Sequence, residues 1–422
     1  MSTETGTSTA APTAVDRPAH RDGNVLRWLA AYTASMVGDT VYYVALSWAA
    51  VRAGTATEAG LVMSASALPR ALLMLGGGVV ADRFGPRRVV IGSDAVRCAA
   101  VGAVALLLFL TGPGLWPLAV LALVFGTVDA VFMPAVGALP ARITGQGQLA
   151  RVQGMRGLAI RFASITGAPL GGLAVALGGA AAAFALAGLL IAVSVPLLVT
   201  VRMREPAPDD TVTREDRGRR TAWRDLLDGL RYVRGHRILG PLMLTIALGD
   251  LGFVGPLNVG LTLLADERGW GASGMGWVLA GFGAGAGAVS LLLAVRGRLP
   301  HAGRTAGWSL LAGCVAVGAL ARVPSVIGAV GIAALVGLLA GLSGALCGAL
   351  LQTHADPAFL GRVTAVSGLV SLGLAPLSMP LTAASIGMWG TGPVFAVSAA
   401  VCGLGGVAAL GFPGLRRAQL PG

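Results

Sequence analysis

Long apolar runs recur along almost the whole chain, separated by short charged turns, and a water-soluble fold cannot hide so many of them. A helix needs about 20 apolar residues to cross the hydrocarbon layer. Runs of that length fall near residues 26–51, 59–81, 89–111, 116–140, 154–177 and 180–201. After a polar stretch they resume near 239–264, 272–295, 305–322, 325–352, 363–386 and 392–411. In lipid every backbone polar group has to be satisfied within the segment, so these runs predict helices. The expected fold is an all-α polytopic membrane protein of 12 spans. Composition agrees: the chain is 55% hydrophobic and 12% charged, with a mean hydropathy of +0.77, too little polar surface for a soluble chain of this length. Its 64 glycines suit close helix packing in a bilayer.

All 31 basic residues are Arg. Without Lys there is neither a Walker A loop nor a Schiff-base nucleophile, which excludes an ATP-driven pump made of this chain on its own and one class of enzyme. The net charge of +12 reads as topology and lipid-headgroup attraction rather than nucleic-acid binding. With the N-terminus inside, cytoplasmic segments hold 25 of the 31 Arg, outer loops hold Arg52, Arg268 and Arg322, and spans hold Arg70, Arg97 and Arg161. That bias predicts a multi-pass protein of the plasma (inner) membrane with both termini cytoplasmic. Residues 1–25, rich in Ser, Thr, Ala and Pro, read as an unstructured tail without signal-peptide features. Residues 26–201 and 239–411 form the two halves, 202–238 a linker and 412–422 a second tail. Within the linker, Trp223, Leu226, Leu227, Leu230 and Val233 fall at helical spacing, an amphipathic surface helix in what reads chiefly as a solvated tether. Cys98, Cys314, Cys347 and Cys402 lie singly in apolar segments, with neither metal-ligand nor disulfide spacing. No nucleophile–base or metal constellation points to an enzyme, a metal or a cofactor.

Shifting the chain by 211 residues superposes Leu149-Ala150-Arg151-Val152 on Leu360-Gly361-Arg362-Val363, and Gly38-Asp39 on Gly249-Asp250. It also pairs Gly157 with Gly368, Pro169 with Pro380 and Phe184 with Phe395. The halves are therefore expected to be pseudo-symmetric six-helix bundles.

An ionised group at mid-membrane costs about 3 kcal/mol on insertion scales, so each demands a reason. Asp39 lies mid-span in the first helix and shares a helical face with Ser35, Tyr42, Tyr43 and Leu46. Arg70, at similar depth in the second, is the partner expected for it, either as a fixed ion pair or as part of a proton-coupling site. Asp129 in the fourth helix and Asp250 in the seventh are further coupling candidates, and Arg161 lies in the fifth. Asp94 and Arg97 are spaced for an i,i+3 pair and read as a structural latch. All four histidines lie in the tail or cytoplasmic loops, so carboxylates would have to carry any transported proton.

Between the second and third spans runs Gly78-Val79-Val80-Ala81-Asp82-Arg83-Phe84-Gly85-Pro86-Arg87-Arg88. It resembles the G-x-x-x-D-R-x-G-R-R loop of the major facilitator superfamily, departing only by the inserted Pro86. Ser35-Met36-Val37-Gly38-Asp39, Ala138-Leu139-Pro140, Leu351-Gln352 and Gly361-Arg362-Val363 narrow the resemblance to the enterobactin and macrolide exporter-like branch. Gly167-Ala168-Pro169-Leu170-Gly171-Gly172 approximates an antiporter signature with its Gly-Pro pair split, and the Arg common in the fourth helix of antiporters is missing.

The resemblance implies a secondary transporter working by alternating access, most simply a proton-coupled antiporter that effluxes drugs, antibiotics or siderophores. An uptake or facilitated-diffusion carrier of the same fold, or a non-transporting receptor or lipid-handling protein, are the alternatives. It implies a conformational gate of Gly78, Asp82, Arg83, Gly85, Arg87, Arg88, Asp94, Arg97 and Arg362, with Asp82 set against the start of the eleventh helix. Tyr42, Tyr43, Phe132, Arg161, Phe253, Asn258 and Gln352 are the expected cavity residues. With its acids, that cavity would admit cationic or neutral amphiphiles. Protons, a small-molecule substrate and membrane lipids are the expected partners of a monomer, with the proton gradient in place of a cofactor.

Overall fold

The computed structural model describes residues 18–112, 114–203, 222–296, 301–356 and 359–420, apart from the side chains of 74–79, 82, 146, 222–226, 294 and 296. Gly78 and Asp82 of the expected gate therefore lie outside the described side chains. Every regular element among the described residues is helical. The first half comprises α1 (Gly23–Ala53), α2 (Ala56–Phe84), α3 (Pro86–Thr111), α4 (Leu115–Ile143) and α5 (Leu149–Val199). A linker helix, α6 (Ala222–Gly235), leads to α7 (Leu239–Glu267), which contains a π-helical turn at Pro256–Gly260. The second half continues with α8 (Gly271–Arg296), α9 (Ala302–Leu320), α10 (Val326–His354), α11 (Leu360–Trp389) and α12 (Thr391–Gly411), ending in the short α13 (Pro413–Arg416).

Eight of these helices are long and apolar enough to cross a membrane: α3, α4, α5, α7, α8, α10, α11 and α12. α1, α2 and α9, of 31, 29 and 19 residues, are also of spanning length. At 51 residues α5 is too long for one crossing. Non-helical backbone at Gly178 and Gly179 divides it, between the fifth and sixth runs of the sequence.

Local chemistry sets the turns. Thr55 and Glu58 form a reciprocal capping box at the start of α2. Gly85 takes φ +84°, a conformation open to glycine, and Pro86 occupies the first position of α3. Residues 18–25, expected from the sequence to belong to the unstructured tail, are held in place. The Ala19 amide donates to Gln148 Oε1 at 3.3 Å, and Asn24 exchanges hydrogen bonds of 2.8 and 2.7 Å with the Arg202 backbone.

The repeat explains how the halves meet. α2 packs on α11, and α5 on α8; the 211-residue shift carries α5 onto α11 and α2 onto α8, so the two seams are copies of one contact. A Cβ at Gly172 would stand 2.3 Å from the Ala272 carbonyl oxygen, and one at Gly60 would stand 2.5 Å from Ala383 Cβ. Between the seams, Ser47 Oγ hydrogen-bonds Thr262 Oγ1 and lies 3.3 Å from the carbonyl of Asn258, its repeat mate. Arg52 and Asp266 pair at 3.4 Å. These contacts shut the end of the bundle that carries the α1–α2 turn.

Gly172→Val should pry this end apart, because side chain and carbonyl cannot share that space and overpacking costs about 1–3 kcal/mol. Spin labels on the α1–α2 ends of α5 and α8 should show a longer distance gaining about tenfold or more in population. An unchanged distance distribution would show that the glycine contact does not hold the seam.

The described part of the linker is docked rather than solvated. The Tyr232 ring stacks on Phe359 at 4.6 Å, and its hydroxyl accepts from the Asp356 amide at 3.2 Å. Val233 is buried in the second half's core, and α6 crosses the start of α11 where Gly229 meets Arg362. His236 Nδ1 accepts from the Ile238 and Leu239 amides, 3.2 Å each, capping α7. Burial, and behind it the neighbouring His354, hold this histidine below its ordinary pKa, which preserves the acceptor.

Candidate functional site

Spacing of four residues puts Ser35, Asp39 and Tyr43 on one face of α1. That face meets α3 and α4, and the partner waiting for Asp39 there is Arg97 rather than Arg70. Arg97 Nη1 lies 2.9 and 2.8 Å from the two Asp39 oxygens and 3.2 Å from Asp129 Oδ1. Its Nη2 donates to Asp94 Oδ1 and, at 3.2 Å, to Ser35 Oγ. Arg70 instead approaches Asp129 Oδ2 at 3.7 Å. The expected Asp94–Arg97 pair is present, but Arg97 is the hub of a network across α1, α3 and α4, beyond a latch within one helix. Ser194 of α5 donates to the other oxygen of Asp94.

Arg97 is fully buried. Its guanidinium carbon stands 3.9 Å from the Phe132 ring centroid and 5.5 Å from that of Phe125, so cation–π attraction supplements the carboxylates. Three carboxylates thus share two guanidinium groups, leaving one negative charge in excess when all are ionised. Burial of that kind is tolerated only with close pairing and hydrogen bonds.

Two adjoining cavities lie beside this network, of about 270 and about 250 Å³. Asp250, Phe253, Thr245 and Cys347 line the first; Thr40, Tyr43, Ser47 and Asn258 line the second; Arg161, Phe282 and Ala286 line both. Tyr43 joins network to cavity, since its ring lines the second while its hydroxyl donates to Asp129 Oδ2 at 3.3 Å. Asp250 accepts from Ser371 Oγ at 2.5 Å.

Tyr43, Arg161, Phe253 and Asn258 thus reach the cavity walls as expected. Tyr42 does not: it is fully buried in the first half, stacked on Phe125 at 3.6 Å. Phe132 is buried under Arg97, and Gln352 is exposed near the end of α10, lining neither cavity. Among the gate residues, Arg87 donates to the Leu198 carbonyl at 3.4 Å and to that of Val199, capping α5 within its own half. Arg83 lies over the Phe84 ring, and Arg88 is exposed. Arg362 lies over Phe359, beneath α6. Ser35 and Ser194 as carboxylate partners had only one signal in the sequence, small hydroxyl residues at the depth of the buried charges.

Two pseudo-symmetric helical halves around a central cavity, with an ion network at mid-depth, define a membrane transporter built from an internal repeat. The chain belongs to the Major Facilitator Superfamily, whose family model matches residues 28–375. It is 27% identical over 416 residues to the multidrug efflux pump Tap of Mycolicibacterium fortuitum, covering 94% of this chain and 98% of Tap. It is 27% identical over 332 residues to the enterobactin exporter EntS of Shigella boydii serotype 18, covering 74% and 76% respectively. The crystal structure of a D-xylose-proton symporter shares the fold, with a TM-score of 0.68 at 15% identity, covering 94% of this chain and 98% of that one. The protein is therefore an integral membrane transporter of small molecules, in a family of carriers rather than enzymes.

Proposed function

We propose that this transporter exports small amphipathic compounds in exchange for protons, as a cofactor-free monomer of the inner membrane with both termini and the α2–α3 turn in the cytoplasm. The observation that carries the proposal is the excess carboxylate of the Arg97 network, joined to the substrate cavity through Tyr43. A proton reaching Asp39 or Asp129 removes the excess charge and weakens that acid's hold on Arg97. It also removes much of the desolvation cost of closing the bundle around the acid. Substrate arriving in the cavity would favour loss of the proton, which gives exchange. The relatives named as a drug pump and a siderophore exporter support the outward direction.

The test is reconstitution in liposomes containing a pH-sensitive dye. Amphipathic compounds offered under an imposed pH gradient should release protons and move against their own gradients. Movement of compound together with protons would make the protein a symporter, and flux indifferent to the gradient would remove the coupling.

A further inference from the structure

The cavity is not the acidic chamber expected from the sequence. Asp39, Asp94 and Asp129 are turned into the first half, held by Arg97 and Arg70, and line neither cavity. Asp250 is the acid that reaches the first cavity, where it accepts the Ser371 hydroxyl and forms no ion pair with Arg161. Arg161 is different. It is half-buried, lines both cavities, and among the described residues makes no hydrogen bond or ion pair. A guanidinium keeps its charge throughout the physiological range. When the halves close and expel water, that charge has to be met by an anion or the closure is opposed by its desolvation.

We infer that Arg161 anchors an acidic group of the substrate, so that the preferred cargo is an amphipathic organic anion with one carboxylate-like head on an apolar body. This rests on the reading of the cavity as the substrate site and adds the chemical class. A planar fork of N–H donors suits a carboxylate bidentately. Beside it, Phe253 and Phe282, with ring centroids 5.6 Å apart, offer an apolar wall to the body. Replacing Arg161 breaks no hydrogen bond or ion pair among the described residues, so variants at this position should fold.

The experiment compares three probes with one body and different heads: pyrenebutyrate, pyrenebutanol and pyrenebutyl-trimethylammonium. Binding to the purified protein in neutral detergent is measured by titration calorimetry, without a gradient. The result therefore stands apart from whether transport is proton-coupled or outward. Wild type should bind the carboxylate at least about tenfold more tightly than the alcohol or the cation, a difference within reach of one charge-assisted contact. Arg161→Gln should erase that preference, chiefly by lowering the carboxylate's affinity, and Arg161→Lys should retain part of it. The inference is overturned if the cation binds as well as the carboxylate, if the carboxylate does not bind, or if its preference survives in Arg161→Gln.

Discussion

Arg97→Met is expected to abolish the accumulation of folded protein. Among the described residues Arg97 is the cation paired with Asp39 and Asp94, and one of two paired with Asp129. Methionine fills much of the same volume beside Phe132 but leaves these carboxylates without their buried counter-charge. Stripping one partner from a buried ion pair costs about 3–5 kcal/mol, a large share of the roughly 5–15 kcal/mol that typically holds a domain folded. Arg97→Lys should be intermediate, because one ammonium cannot match a fork that meets three acids at once. Adding Asp39→Asn and Asp94→Asn to Arg97→Met should recover folded protein. Size-exclusion profiles and thermal unfolding in detergent read all three. A monodisperse Arg97→Met protein that melts with wild type would show that the network holds no fold together.

Asp39→Asn is expected to uncouple transport rather than unfold the protein. The amide keeps the shape of the protonated acid and removes the excess negative charge, leaving two carboxylates to two guanidinium groups. Movement of any compound that wild type drives against its gradient should fall at least about tenfold under an imposed pH gradient, where tenfold corresponds to about 1.4 kcal/mol. Movement down the compound's own gradient should persist. Asp129→Asn makes a useful comparison, since this acid also takes the Tyr43 hydroxyl and the approach of Arg70. If Asp39→Asn still concentrates the compound as wild type does, Asp39 serves packing and the proton is carried elsewhere.

The legible and illegible parts of the chain separate along a physical line. Position can be counted along each helix, so Asp39, Arg70, Asp129 and Asp250 fall inside α1, α2, α4 and α7. The break in α5 and the turn at Gly85-Pro86 were also visible, because glycine and proline act locally. Which neighbour a helix face meets depends on rotations that no single helix encodes. For that reason Asp39 could be matched in depth with Arg70, while its bond is to Arg97. The adjacent Tyr42 and Tyr43 show the same limit. They lie about 100° apart around α1; one faces the Phe125 ring and the other the cavity. Docking of α6 was hidden because its partners, Phe359 and Arg362, are more than a hundred residues away in sequence.

The duplicated glycine seam also restricts how the two halves can move. With a glycine notch on either side of the pseudo-dyad, sliding one half along the other would drive the Ala272 carbonyl and the Ala383 methyl into larger neighbours on both sides together. Tilting about a line through the two notches keeps each in register. While that end stays shut, the seams would act as the paired knuckles of a hinge, with the line between them as its axle. An axle placed there turns a small change of angle at the buried charges into its largest displacement at the far ends of the helices.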